Sequence, residues 1–473
     1  MRTIDIVVVC VYMLGMLGVG IFARGKISNM DDFLLGGKRF KVLPLTATIM
    51  TTMTGAGMTL GMVGAVSRRG SGIMWDLIGV AIGLFMMAAI AGKLRETNKR
   101  SLAEVIAGKN GKAPQIAVAI IATFYTIVLT GQNVAAVGRL LNYAGSDLGI
   151  TPVQATIFAA IVMTAYTALG GLYAVVWTDF VQFIIMLGTA GVIGPIIAIS
   201  ASGGIAPIAS NLASNNLSLF NPAVGNAIWP SFTFALLMLF GVPGDPTSPQ
   251  RALAAIDAPT ARKAFTFAGI SMFWWGAALS IIGGAAFYLM PNIAEEWGTA
   301  EAAFPVFAIK YFPPVLTGLA FAGMLAAVMS TADSMLLLCT THLVYDIAMS
   351  VAPKKLTEEK AVKFLPWVTV VLGIFALFIA LRITSLLATM YFVFSLVSAS
   401  FIVPMLAQLY MPNKCTVGGV TTGVLAGGAI TAIMYQVNYM GPGGDPIYTG
   451  MLASAACIFI GSFFKPSSVG AAQ

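Results

Sequence analysis

Charge is what this chain has least of: Asp, Glu, Lys and Arg make up 9% of its 473 residues, against about 25% in an ordinary soluble domain. Hydrophobic residues make up 58%, too much apolar surface for a globule to hide, so lipid is the solvent for most of the chain. Histidine is almost missing. His342 is the only one, no zinc centre can be built around it, and it reads as a packed or interfacial side chain. Cys10, Cys339, Cys415 and Cys457 lie far apart in or beside apolar runs with no CxxC, and read as free thiols. No HExxH, GxSxG or acid–base constellation is present, which argues against an enzyme. The longest loop expected between apolar runs is residues 201–226, which leaves little room for a signalling output. The net charge of +8 is spread over short clusters between apolar runs, so nucleic acid is not the expected partner.

What is abundant is apolar sequence in runs of helix-spanning length. About 20 residues of helix cross about 30 Å of hydrocarbon, and by that ruler the chain reads as thirteen spans: 4–23, 42–66, 72–92, 116–142, 152–169, 172–200, 227–249, 262–290, 315–347, 364–382, 385–410, 416–437 and 446–464. The first run is followed rather than preceded by its basic cluster, so it is expected to be a retained helix and not a cleaved leader. With the amino end outside, twenty of the 26 Lys and Arg fall on the cytoplasmic side. They form clusters at Arg24–Lys41, Lys93–Lys112, Arg251–Lys263 and Lys354–Lys363, with Lys414 and Lys465. A miscounted span would invert every later loop, so the bias supports both the count and the orientation, with the carboxyl end inside.

Two spans contain residues that an unbroken helix avoids: Thr54-Gly55-Ala56-Gly57 in the second, and Gly241-Val242-Pro243-Gly244-Asp245-Pro246 at the end of the seventh. Freed backbone groups at membrane depth must be satisfied by protein, water or a ligand. The breaks fall in the first helices of two successive five-helix units, 42–200 and 227–410, as an inverted repeat with a central site requires. Residues 1–41 then form an extra amino-terminal helix and cytoplasmic loop, 201–226 a periplasmic loop, and 411–473 two further helices and a short tail. In the last part, Gly419, Gly423 and Gly427 recur every fourth residue and mark close helix packing.

Ionisable residues within spans are costly, which makes Asp179 and Asp333 functional candidates. Around Asp333, Ser330, Thr331 and Ser334 form a polar stripe on one helix face. Such oxygens, with carbonyls of a broken helix, suit a hard monovalent cation. The same stripe also results when hydroxyls bond back to their own helix and the aspartate pairs with a neighbour. Asp179 follows the Gly170-Gly171 turn and also fits an interfacial acid. Trp75 and Asp76, at the mouth of the third span, are candidates to line a solute pathway, as are Met53, Gly55, Ala56 and Gly57 at the break, although an interfacial anchor is the ordinary role of tryptophan. Tyr125, Gln132, Phe240 and Tyr391 are further pathway candidates, with helix packing as their default role.

Four segments carry a resemblance: Asp31-Asp32-Phe33-Leu34-Leu35-Gly36-Gly37-Lys38-Arg39, Gly170 to Asp179, Gln250-Arg251 with Ala254-Ala255 and Asp257, and Ala327 to Ser334. In this order and spacing the chain resembles the sodium:solute symporter family along nearly its whole length. The resemblance implies an all-α integral membrane protein with a LeuT-like 5+5 inverted-repeat core and about thirteen transmembrane helices, in a bacterial inner membrane. It also implies sodium-coupled symport of a small organic solute by alternating access. Carried over from the family, the main sodium site takes the carbonyl of Ala327, the hydroxyls of Ser330 and Thr331, and the carbonyls of Thr51 and Thr54. A second cation site takes Asp179 and Ser334, with Asp333 where two-sodium members have a hydroxyl. The Gly55-Ala56-Gly57 break is similar to that of the choline branch, but Met53 replaces the cage tryptophan, which argues against choline.

Two other readings stay open: proton coupling through Asp179 and Asp333 on the same fold, or a sensor or channel without coupled transport. The charge bias makes the topology testable. Alkaline phosphatase inserted after Ser214 is expected to be active, and green fluorescent protein fused after Gln473 to fluoresce. The opposite pattern overturns the orientation.

Overall fold

The computed structural model describes residues 1–23, 29–145, 149–219, 228–439 and 444–463. Arg24, Lys26 and Lys465 of the charge argument, residues 220–226 of the expected periplasmic loop and residue 227 at the expected start of the seventh span lie outside the described residues. The long elements are α1 (Thr3–Ala23), α2 (Val42–Met53), α3 (Met62–Arg69), α4 (Met74–Glu96), α5 (Lys112–Ala144), α6 (Pro152–Met186), α7 (Ile228–Gly244), α8 (Ala258–Leu289), α9 (Leu316–Thr341), α10 (Glu358–Ala380), α11 (Leu386–Tyr410), α12 (Val417–Gln436) and α13 (Ile447–Phe463). No strand occurs among the described residues; an isolated bridge joins Phe40 to Ala255. Among those residues eight helices are long and apolar enough to cross a membrane, and five shorter apolar helices accompany them.

The centre of the protein is α9. Its apolar window is buried on every side, the state expected of a helix that is hydrophobic all round. It packs against α5 and α6, and also touches α1 and α2. Its first turn is held by α1: the Asp5 carboxylate accepts the amides of Val315 at 2.7 Å and Gly318 at 3.2 Å, satisfying two donors that a helix start leaves open. By contrast, α10 turns Phe364, Trp367, Phe375 and Phe378 outward, as a helix facing lipid does.

Three interruptions shape the middle of the fold. α2 stops at Met53, Thr54 turns the chain, and helix resumes at Ala56 through a π-helical turn over Gly57–Gly61 into α3. α7 stops at Gly244, where the Asp245 carboxylate accepts the Thr247 amide at 3.0 Å and its hydroxyl at 2.6 Å. This cap starts a short helix, Thr247–Ala254, that carries Gln250 and Arg251 inward. The third interruption is Gly171 within α6, at φ 53° and ψ −162°. That backbone disfavours an L side chain, and an added Cβ would stand 2.9 Å from the Phe33 ring.

The glycine stripe of α12 serves two neighbours. A Cβ on Gly419 would approach Gly461 of α13 to 3.2 Å, whereas one on Gly427 would meet the Ala399 carbonyl of α11 at 2.3 Å. Gly418 faces open space. Gly427→Ala is therefore expected to lower the melting temperature of the purified protein, since overpacking against backbone costs about 1–3 kcal/mol. Gly418→Ala, with the same change in helix propensity, should leave it equal or slightly higher. Equal shifts for both would show that the α11–α12 contact is not tight.

Candidate functional site

The break in α2 leaves carbonyls near its end that α9 meets with hydroxyls. Ser330 Oγ lies 3.1 Å from the Thr51 carbonyl and 2.9 Å from that of Ala327. Thr331 Oγ1 lies 3.0 Å from the Thr52 carbonyl, 3.3 Å from Ala327 and 3.5 Å from Thr51. Ser330 is 0% exposed and Thr331 5%, so neither hydroxyl turns to lipid or bulk water. Each hydroxyl has one proton to donate. Three carbonyls and two hydroxyl oxygens thus converge; besides the two hydroxyl protons they receive the Thr54 amide and hydroxyl, both at the Thr51 carbonyl, and lone pairs still exceed protons, which suits a cation. The partial negative charge at the end of α2 adds to the same demand.

Of the residues expected at this site, Thr51, Ala327, Ser330 and Thr331 come together. Thr54 stands differently: its carbonyl accepts the Thr59 hydroxyl at 2.5 Å, and its own hydroxyl lies 3.0 Å from the Thr51 carbonyl. The second carbonyl facing Thr331 belongs to Thr52, because the chain has already left the helix at Thr54.

The three residues expected at a second cation site separate into two groups. Asp333 turns to α6, where Tyr166 donates its hydroxyl to Oδ2 and Thr167 donates to Oδ1 at 3.2 Å. Asp179 accepts the Thr48 hydroxyl at 2.5 Å. Ser334 accepts from Arg251 and lies 3.2 Å from the Thr52 hydroxyl. Arg251, buried at 1% exposure, was counted from sequence as one of the cytoplasmic basic residues. Its inward position depends on the Asp245 turn, which no sequence period shows.

Against the break lies a cavity of about 20 Å³, lined by Met53, Gly55, Ala56, Gly57 and Gln132 of the expected pathway residues, with Asn133, Thr331, Met335, Met390 and Phe394. Such a space holds about one water. Asn133 Oδ1 accepts the Ala56 amide at 3.0 Å, and Gln132 donates to the Leu386 carbonyl. A Cβ on Gly55 would come within 2.7 Å of Thr331 Oγ1, so glycine lets the break touch α9. Tyr125 is outside this lining and packs edge-on against Phe394, with centroids 5.7 Å apart. Phe240 is also outside it, half-buried against the core.

Asp76 and Tyr391 belong to a different cluster, at the end of α3. Arg69 pairs with Asp76 at 2.9 Å and donates to the Tyr391 hydroxyl at 3.2 Å. Trp75, beside Asp76 at the start of α4, is half-buried. Nearby, Arg139 pairs with Glu301 at 2.5 Å, and Glu301 also accepts the Leu386 amide at 2.8 Å. Past these contacts opens a cavity of about 440 Å³ that Glu301, Tyr391, Gly61 and Gly64 line. From sequence, Arg69 and Arg139 are among the six basic residues outside the cytoplasmic set, and Glu301 has no assigned role.

Comparison with known proteins gives this geometry a context. The profile of the sodium:solute symporter family matches residues 33–427. The chain is similar to the high-affinity proline transporter PutP of Bacillus subtilis, with 27% identity covering 88% of this chain and 89% of that one. It is similar to the sodium/pantothenate symporter of Escherichia coli, with 24% identity covering 96% and 95%. Among solved structures, a Na+-coupled sialic acid symporter in a substrate-bound outward-open state superposes with a TM-score of 0.81 at 17% identity, covering 98% of this chain and 99% of that one. A nucleobase-cation-symport-1 family transporter superposes at 0.61 and 14% identity, covering 92% and 95%. These two likenesses are of fold.

The Asp333 contacts generate a stability test. Tyr166→Phe removes a donor from a buried carboxyl group and is expected to cost about 1–3 kcal/mol. In a double-mutant cycle with Asp333→Asn, followed by thermal unfolding, the two changes should couple. Additive effects would show that the Tyr166–Asp333 contact does not contribute.

Proposed function

Since the chain belongs to the sodium:solute symporter family, and is a membrane-embedded sodium-coupled solute symporter rather than an enzyme, we propose that its coupling ion binds where α9 meets the break after α2. The ligands are the hydroxyls of Ser330 and Thr331 and the carbonyls of Thr51, Thr52 and Ala327. The observation that carries this reading is the surplus of lone pairs over protons among those five buried oxygens. With the ion present, both hydroxyls rotate their protons away and aim oxygen inward.

The same reading places the solute at the break, against Gly55, Ala56, Gly57, Met53 and Gln132. No charged side chain is among the residues lining that cavity, and its four methionines, Met53, Met58, Met335 and Met390, provide adaptable apolar walls. Thr331 lines the cavity and touches the ion site, so ordering one orders the other, and the coupling is reciprocal in free energy. A cavity the size of a water molecule must enlarge to admit solute, which the pairs at Arg69–Asp76 and Arg139–Glu301 control by tying α3, α4, α5 and the start of α11. In the proposed topology of thirteen crossings, with repeats at 42–200 and 227–410 and the amino end outside, these pairs lie toward the outside and buried Arg251 lies toward the cytoplasmic side of a bacterial inner membrane.

Sodium is expected to raise the melting temperature of the purified protein, since a ligand at a hundredfold its Kd stabilises by about 2.7 kcal/mol. Ser330→Ala and Thr331→Ala should each remove most of that shift and abolish sodium-driven uptake in proteoliposomes. A screen of amino acids, monocarboxylates, sugar acids, nucleosides and vitamins, each with and without sodium, then identifies the solute. Sodium stabilisation unchanged in both variants overturns the site. Uptake that follows a pH gradient with sodium replaced by choline would identify the proton as the coupling ion.

A further inference from the structure

The group nearest Asp179 and Ser334 is the protein's own guanidinium. Nη2 of Arg251 shares its two N–H groups among three hydroxyls, Ser334 Oγ, Thr52 Oγ1 at 3.1 Å and Thr48 Oγ1 at 3.4 Å. Nη1 donates to Gln250 Oε1 at 2.9 Å. Thr48 passes the charge on, since its hydroxyl donates to Asp179 Oδ2 at 2.5 Å. Among the described residues two further polar atoms in this cluster, Asp179 Oδ1 and Arg251 Nε, have no hydrogen-bond partner. Both charged residues are buried.

A second alkali ion beside Asp179 would need these same hydroxyl oxygens as ligands. Their lone pairs already receive N–H groups from a cation that stays ionised at any physiological pH. A sodium ion placed among those hydroxyls would also sit against the fixed positive charge of Arg251, a like-charge contact that is costly in a buried site. Asp333 is directed away from these hydroxyls, its oxygens accepting from Tyr166 and Thr167 of α6.

We propose that Arg251 is a tethered cation occupying the second cation position, so that Asp179, Thr48, Thr52 and Ser334 serve its guanidinium and the protein carries one sodium ion per cycle. The count of one rests on the Ser330–Thr331 reading; the exclusion of a second ion by Arg251 does not.

The test is equilibrium binding of radioactive sodium alone to the full chain in detergent. Arg251→Met is expected to bind one more sodium ion per chain than wild type, and Arg251→Lys no more. Arg251→Met combined with Asp179→Asn should return to the wild-type count. A monodisperse, cooperatively unfolding Arg251→Met protein with the wild-type count overturns the proposal. Where Arg251→Met does not fold, Asp179→Asn alone decides: an unchanged count supports the tethered cation, and loss of one ion overturns it. Because the readout is a difference, failure of the Ser330–Thr331 site shows up separately, as an unchanged count in Ser330→Ala and Thr331→Ala.

Discussion

Backbone that is not helical, held at membrane depth, must find partners that lipid cannot supply, and much of the architecture follows from that demand at residues 54–56. On one side of the break, Thr51 and Thr52 present carbonyls that Ser330 and Thr331 meet. On the other, the Ala56 amide is taken by Asn133. One donor set comes from α9 and the acceptor from α5, so both helices must lie against the break. α9 can do so from a fully enclosed position because the polar groups on its other faces find protein partners, Asp333 with Tyr166 and Thr167 and Ser334 with Arg251. The Asp5 carboxylate of α1 holds its first turn in place.

The charges are as economical as the composition. Those that enter the interior do so in company: Arg69 with Asp76 and Tyr391, Arg139 with Glu301, Arg251 with Asp179 through Thr48. Such pairs contribute little net stability, because desolvation offsets their attraction, but breaking one leaves an expensive lone charge. They are therefore suited to hold a conformation closed until a compensating change arrives. Two of the clusters lie beyond one end of the small cavity at the break, and the third on the far side of the Ser330–Thr331 oxygens. This arrangement serves a transporter whose pathway opens at one end at a time.

Much of this was legible in the residues. The two breaks followed from glycine and proline chemistry, and Asp179, Asp333, Ser330 and Thr331 from the cost of polar groups in a span. The glycine repeat of α12 correctly announced close packing, though not that Gly427 would face α11 while Gly419 faces α13. Less legible was which carbonyl follows Thr51: counting along a chain does not show that the helix ends at Met53, so Thr54 was expected where Thr52 stands. Asp333 and Asp179 were grouped by the resemblance, which aligns positions and not directions; in space one faces α6 and the other α2.

Composition and period by themselves determined that the chain is helical, lipid-embedded, broken in two places, and furnished with a stripe of hydroxyl and carboxyl oxygens on its ninth apolar run. Those properties are local: they depend on the hydropathy of about 20 consecutive residues and on the backbone preferences of single ones. Only the tertiary structure decided which oxygens share a centre, that the pathway at the break is nearly shut, and that Arg251 reaches the interior. A guanidinium between two apolar runs reads the same whether it points to water or turns inward. The Asp245 cap and the oxygens of Thr48, Thr52 and Ser334, which lie far from it in sequence, make the difference.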